Sequence, residues 1–458
     1  MSSDKQNNPD QEVPAKDGEV LDFSPETGTG TAGSGAPLSP MEEAQYLFES
    51  GQYEKCREKL TNLWLQSAYD RPVIELYSKL LQEIGQTDSA RRLQNLATKL
   101  AEPLPPYKHH QELFEAGYAL VDLRQHGLAA MLLTELVKEL PDDVLVNYEL
   151  GFSLMCLKQF MSAARHFEKA KSGEGAEDFD VLLNLCVCHT LACNLKAAQD
   201  TLKDLANLAK SDEEKQELAH RRMVLKRLEC VLNSKGKRPL SDRDWLFILY
   251  GSILLRKSKR LGNDKLDLRH VASTLVVLKT FLHGFSVEEE GVEYYSLRSK
   301  PLSTVFGDLI ECPVDAYRGP DRPDRCLLMM CWTTDILGPH QVFIPNSESR
   351  GIFAYAISPD EPLPVIPDII GYIADDLIMP WEGKELNNRE LEAKIKELQS
   401  KACDLEADPD LIQEAQDALD YYMEKRDLLV FGNSLAFKTR PEYTAELPPL
   451  SGSSELSR

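Results

Sequence analysis

The chain has 458 residues, 42% of them apolar and 28% charged, which is ordinary for soluble globular domains and long enough for roughly two to four cores. Its 52 Lys and Arg stand against 74 Asp and Glu, a formal charge of −22 that would repel nucleic-acid phosphates or an anionic bilayer, so neither is an expected partner. Ten cysteines are too sparse for a disulfide-stapled scaffold and suit reduced thiols in a cytoplasm.

Residues 1–38 hold seven acids and two lysines among Gly, Ser, Thr and Pro. Such a segment buries too little surface to offset its ordering entropy, and a disordered acidic tail is expected. It shows no basic stretch followed by an apolar one, so no secretory signal is expected.

From Met41 the pattern becomes helical and self-similar. Small residues recur at Ala44, Ser78, Gly117, Gly151 and Cys186, spaced 34, 39, 34 and 35. A second series at Cys56, Ala90, Ala129, Ala163 and Ala198 keeps the same spacing, always twelve residues later. Each unit therefore contains two helices, with a small side chain on each where they approach closely. The one long spacing coincides with EPLPPYKHH (102–110), whose three prolines forbid continued helix. His109 and His110 in this insertion are expected to be exposed.

The array resembles the tetratricopeptide repeat (TPR). Leu150, Gly151, Leu154, Ala163, Phe167 and Ala170 fall on that family's pattern, as do Gly117, Leu120, Ala129 and Pro141 before them and Leu185, Ala198, Leu202 and Leu205 after them. Two earlier units match at Ala44, Leu47, Cys56 and Leu60, then at Leu81, Ala90 and Ala97; the family's tryptophan is absent throughout. The resemblance covers residues 39–235 and implies an α-solenoid. Ser211 with Glu214 forms a capping-box start for a solvated end helix, Ser211–Asn233, before a linker at 234–241.

Within this array the first helices carry a second stripe. Phe114, Tyr118 and Val121 share one helix face, Tyr148, Phe152 and Met155 repeat the triplet 34 residues later, and Leu183, Val187 and Thr190 follow. The resemblance implies that this face lines the concave groove of the stack. A groove of that kind would hold an amphipathic helix or an extended segment of another protein. Each buried anchor would contribute about 1.5–3 kcal/mol, so two or three suffice for roughly micromolar binding. The stripe could instead be covered by the chain's own later segments. Aromatic residues occupy the positions where some relatives carry Lys and Asn to clamp acidic C-termini, so carboxylate clamping is not expected.

Residues 242–381 leave the repeat. Trp245–Arg256 and Ala272–Phe285 read as apolar helices, the first too short to cross a membrane. VEYYSL (292–297), RCLLMMCW (325–332), HQVFI (340–344) and GIFAYAIS (351–358) read as strands, and Pro301–Glu311 and Pro367–Met379 as helices between and after them. The sum is a small α/β domain. Leu391, Ile395, Leu398, Ala402 and Leu405 then begin a helical hairpin over 385–430, capped midway by Asp408-Pro409, and 439–458 is a second polar tail. The expected fold is mainly α: a TPR-type solenoid, an α/β domain and a C-terminal hairpin.

No phosphate loop, dinucleotide fingerprint, HExxH or GxSxG motif is present, and no cofactor or metal is expected. Cys186, His189 and Cys193 share a helix face, yet Cys186 stands in the packing ladder and reads as core. Asp375-Asp376 reads as a solvated face, Trp332 as core, and His283 and His340 have no partner at a telling spacing. The expectation is a cytoplasmic adaptor or chaperone-like scaffold; the alternative is an enzyme with its site in the α/β domain and repeats that recruit substrate.

Overall fold

A computed structural model describes residues 38–430, except 173–176, 236–238, 257–265, 320–324, 345–349, 359–362, 375–377 and 383–387. The predicted tails, the centre of the linker and Asp375-Asp376 lie outside the described residues.

Five antiparallel helix hairpins open the fold. They are α1 (Pro40–Glu49) with α2 (Tyr53–Trp64), α3 (Arg71–Glu83) with α4 (Thr87–Lys99), α5 (His110–Asp122) with α6 (His126–Glu139), α7 (Val144–Cys156) with α8 (Phe160–Ser172), and α9 (Phe179–Leu191) with α10 (Leu195–Leu208). Each packs on the next. Their starts are written locally: Ser39 and Glu42 form a capping box, and Asp70, Asp143 and Asp178 each accept a backbone N–H of the first turn. The α5 start follows the proline insertion through a 3-10 turn at Pro106–Lys108.

Both small-residue ladders are buried, and in the first and fifth hairpins they meet. The Cys56 thiol donates to the Ala44 carbonyl at 3.3 Å, and the Cys186 thiol to the Ala198 carbonyl at 3.6 Å. A Cβ on Gly117 would sit 2.9 Å from Leu133, and one on Gly151 3.1 Å from Phe167, so these helices pack at backbone distance. The hairpin turns form a third ladder. Gly51, Gly85, Arg124, Lys158 and Cys193 all have φ between 55° and 84°, each seven residues after the first small residue of its unit. Three of the five are not glycine, so no sequence signal marks them.

The next helix, α11 (Asp212–Lys235), begins with the expected capping box: Ser211 Oγ accepts from the Glu214 amide and Glu214 accepts from the Ser211 amide. It is not solvated. His220, Arg221 and Arg227 are buried along with Leu225, Leu228 and Val231, because α11 is wedged between α10 and the second half of the chain. Arg227 donates from Nε to the Leu428 carbonyl at 2.7 Å.

That second half is built on six parallel strands: β1 (Ile253–Leu254), β2 (Gly291–Tyr294), β3 (Val314–Ala316), β4 (Cys326–Trp332), β5 (Arg350–Ile357) and β6 (Ile369–Ile373), in the order β1-β6-β5-β4-β2-β3. Helix α12 (Asp242–Tyr250) leads into β1, and α13 (Leu268–Gly284), α14 (Lys300–Ile310) and the short α15 (Gly338–Phe343) lie in connections between strands. The C-terminal hairpin, α16 (Asn388–Leu405) and α17 (Pro409–Met423), packs on α13, with α16 also on α14. Ion pairs Lys279–Glu406 and Arg256–Glu414, both 2.7 Å, fasten it there.

Three sequence expectations fail here. The run Trp245–Arg256 is a helix only to Tyr250; Gly251, at φ 68°, ends it, and Ile253–Leu254 are β1. HQVFI lies in α15, with Pro339 in its first turn, and is not a strand. Pro367–Met379 is not a helix but contains β6, where Asp368 accepts the Ile352 amide at 2.8 Å as the strand enters the sheet. A parallel strand covered on both faces reads as a continuous apolar run, and periodicity cannot separate it from a buried helix.

The hydrophobic core divides inside α7. One buried cluster runs from Ala44 to Leu150; a second runs without interruption from Met155 through α9, α11 and the sheet to Leu429.

Candidate functional site

The sequence-selected stripe lies on α5, α7 and α9, and its exposure falls along the stack. On α5, Tyr118 is 36% exposed, and Phe114 and Val121 are half-buried. On α7, Tyr148 and Phe152 are half-buried, while Met155 is 8% exposed. On α9, Leu183, Val187 and Thr190 are buried, as is every residue from Val181 to Leu191.

Met155, Leu183 and Val187 are therefore not groove residues. The second core encloses α9 on all sides, and a helix apolar around its whole circumference belongs inside. Tyr148 and Phe152 are partial corrections: the Tyr148 hydroxyl accepts the Asn184 amide from α9 at 3.2 Å, and its ring stands edge-on to Phe167 at 5.7 Å. The Phe152 ring stands edge-on to His126 of α6 at 6.1 Å. Both rings bridge neighbouring hairpins and spend part of their surface filling seams.

What remains open centres on α5 and the start of α7. Phe114 and Tyr118 lie with ring centroids 6.4 Å apart, and the Arg92 guanidinium sits 5.4 Å over Tyr118 while paired to Asp88 at 3.0 Å. Beside Phe114 is a cleft of about 180 Å³ lined by His110, Gln111, Phe114, Leu136, Leu140, Asp143, Leu145 and Val146. Leu145 is 62% exposed at its edge. Sequence reasoning missed Leu145 because the repeated triplet begins one turn later, at Tyr148; the signal was an apolar residue three before it. The insertion histidines are less exposed than expected: His109 is buried, and His110 forms part of the cleft.

Farther along the same two helices are two carboxylates. Glu149 is half-buried, and burial, with Asp122 adding repulsion, pushes its carboxyl up to about 7. Among the described residues neither Glu149 nor Asp122 has a hydrogen-bond or ion-pair partner.

Five helix pairs with one period, each carrying a small residue of both ladders, decide the architecture. The stack is of the tetratricopeptide type. No family model and no curated protein matches the chain. Among solved structures, it is similar to MamA of Desulfovibrio magneticus RS-1 at 18% identity and a TM-score of 0.24, covering 38% of this chain and 97% of that one. It is also similar to YrrB, described as a TPR protein with an unusual peptide-binding site, at 14% identity and a TM-score of 0.26, covering 40% of this chain and 90% of that one. At such values the TPR assignment rests on the helix geometry above.

The remaining candidates are absorbed by packing. Burial raises the Cys186 thiol to about 11 and the Cys188 thiol further, as befits thiols packed inside the core. His189 lies 3.6 Å from Glu168, and burial lowers its pKa. In the α/β domain the strand order reverses between β2 and β4, where such sheets open a crevice at their carboxyl ends. There Arg298 is paired to Asp335 at 3.0 Å and to Glu382, and its carbonyl accepts the Trp381 indole N–H at 2.8 Å. His340 meets the Tyr295 hydroxyl at 2.8 Å, and Trp332 is buried. Among the described residues no helix is long and apolar enough to cross a membrane.

Proposed function

We propose that the protein is a non-enzymatic scaffold whose N-terminal hairpins hold a segment of another protein across α5 and α7. The observation that carries this reading is the pairing of an apolar cleft with Phe114, Tyr118 and Leu145 around it, on helices whose other apolar faces are buried. Tyr118 and Leu145 keep 36% and 62% of their surface in water, and covering that remainder would contribute about 1–2 kcal/mol each. The second half has a structural part in this proposal: α11, packed on α10 at one side and on α12 at the other, closes the far end of the array, and so limits the docking surface to the first four hairpins. A chaperone-like adaptor in the cytoplasm fits, since all ten cysteines are free and none needs an oxidising compartment.

A photo-crosslinking residue placed at Tyr118 or Leu145 should capture a discrete partner in cells, whereas the same residue at Lys203, exposed on α10, should not. Equal labelling from the three positions would refute the docking surface.

A further inference from the structure

The open surface on α5 and α7 is more than apolar. The cleft lies at its Phe114 and Leu145 end, and the carboxylates of Glu149 and Asp122 lie farther along the same helices. Glu149 is one helical turn beyond Leu145, about 6 Å, and Asp122 is two turns beyond Phe114, about 12 Å. A half-buried carboxylate without a cation is a costly feature in a folded surface unless something else supplies the charge. Arg92, the cation seated on Tyr118, is already paired to Asp88. The volume of the cleft, about 180 Å³, admits one Leu-, Ile- or Met-sized side chain.

Building on the docking proposal above, we infer that the partner is a basic–apolar segment: one aliphatic side chain enters the Phe114–Leu145 cleft while a Lys or Arg is received by Glu149 and Asp122. An extended segment advances about 3.3 Å per residue, which puts the basic residue two to four positions from the aliphatic one. The arriving cation offsets the Asp122–Glu149 repulsion and restores the ionised form of Glu149. The chain's net charge of −22 favours encounter with a basic partner in the same direction. The charge pattern is opposite to that of an acidic C-terminal ligand.

The test is to pan a phage-displayed random dodecapeptide library on the full-length chain and synthesise the most enriched peptides. The expected peptides carry Lys or Arg two to four residues from Leu, Ile or Met. Replacing that basic residue by Met should weaken binding about tenfold, and the isosteric variant Glu149→Gln/Asp122→Asn should lose a similar factor. Applied together the two changes should cost little more than either alone, because they remove the same interaction. Fully additive losses, or a basic residue that can be replaced without effect, would overturn the inference while the docking surface survived. Peptide binding indifferent to Tyr118→Glu/Leu145→Glu would instead remove the docking surface itself. Enrichment no greater than on a protein-free control would end both.

Discussion

Helices α5 and α9 occupy the same place in two repeats of one array, yet α5 presents Phe114 and Tyr118 at the surface and α9 presents nothing. Their packing ladders are alike: Gly117 and Cys186 are both buried against the second helix of their own hairpin. The difference comes from what lies beyond. Past α5 the stack continues with another hairpin; past α9 comes α11, which is bound into the α/β half of the molecule through Arg227 and the Leu428 carbonyl. A repeat's inner face is thus a docking surface only where the rest of the chain leaves it uncovered. Composition follows the same division, since α9 reads FDVLLNLCVCHTL with Asp180 in its first turn as its one carboxylate, whereas α5 keeps Glu112, Glu115 and Asp122.

The sharpest way to break this comparison is to put the same charge on both helices. Leu183→Glu should cost more than about 4 kcal/mol, or prevent folding, because a fully buried carboxylate has no partner; Tyr118→Glu should stay within about 1 kcal/mol. Chemical denaturation of the two variants decides it, and similar losses would mean that α5 and α9 are equally enclosed.

The junction that separates the two fates can be loosened at Gly251. Its φ of 68° disfavours a side chain, and a Cβ there would lie 2.4 Å from the Arg227 guanidinium and 3.0 Å from Val430. Gly251→Ala should therefore lower stability by about 2–3 kcal/mol, and hydrogen exchange should show α11 and Leu428 losing protection together. Protection lost elsewhere first would place the junction at another contact.

Glu149 sharpens the comparison through pH. Its folded pKa, about 7, lies above the ordinary 4.5, so the folded chain binds more protons between those values, and stability falls as pH rises through that window. Glu149→Gln removes this penalty. It should add roughly 1–2 kcal/mol at pH 8, discounted for partial exposure, and nothing at pH 4. A stability gain that is the same at both pH values would show that the carboxyl is not the source.

The smallest effect concerns the turns. Lys158 and Arg124 hold φ values of 66° and 56° where the first two hairpins use glycine. Lys158→Gly or Arg124→Gly should each leave stability unchanged or raise it by up to about 1 kcal/mol, because relief of left-handed strain opposes the added freedom of the unfolded chain. Thermal melts that fall by several degrees would show that these side chains hold the turns by other means.

Much of the array was legible because its period is the same in sequence and in space. Ala44, Ser78, Gly117, Gly151 and Cys186 had to be small for helices to approach, and the small side chain is itself the signal. The turn ladder was illegible at Arg124, Lys158 and Cys193, where tertiary packing holds a conformation that the residue type disfavours. Of the docking surface, Phe114, Tyr118 and Val121 were found by phase alone. Leu145 was missed because its neighbour in the preceding repeat is Gln111, which breaks the apolar pattern.

Sequence alone determined which residues pair helix to helix and where each hairpin begins, since local capping and a repeated small side chain act within about 35 residues. It did not determine whether IIGYI at 369–373 would be helix or strand, nor which inner faces stay open. Both depend on groups far apart in the chain: β6 exists because β5 and β1 offer it hydrogen bonds, and α9 is closed because the core reaches from Met155 to Leu429. Burial is a property of what lies opposite a side chain, and only the assembled structure puts it there.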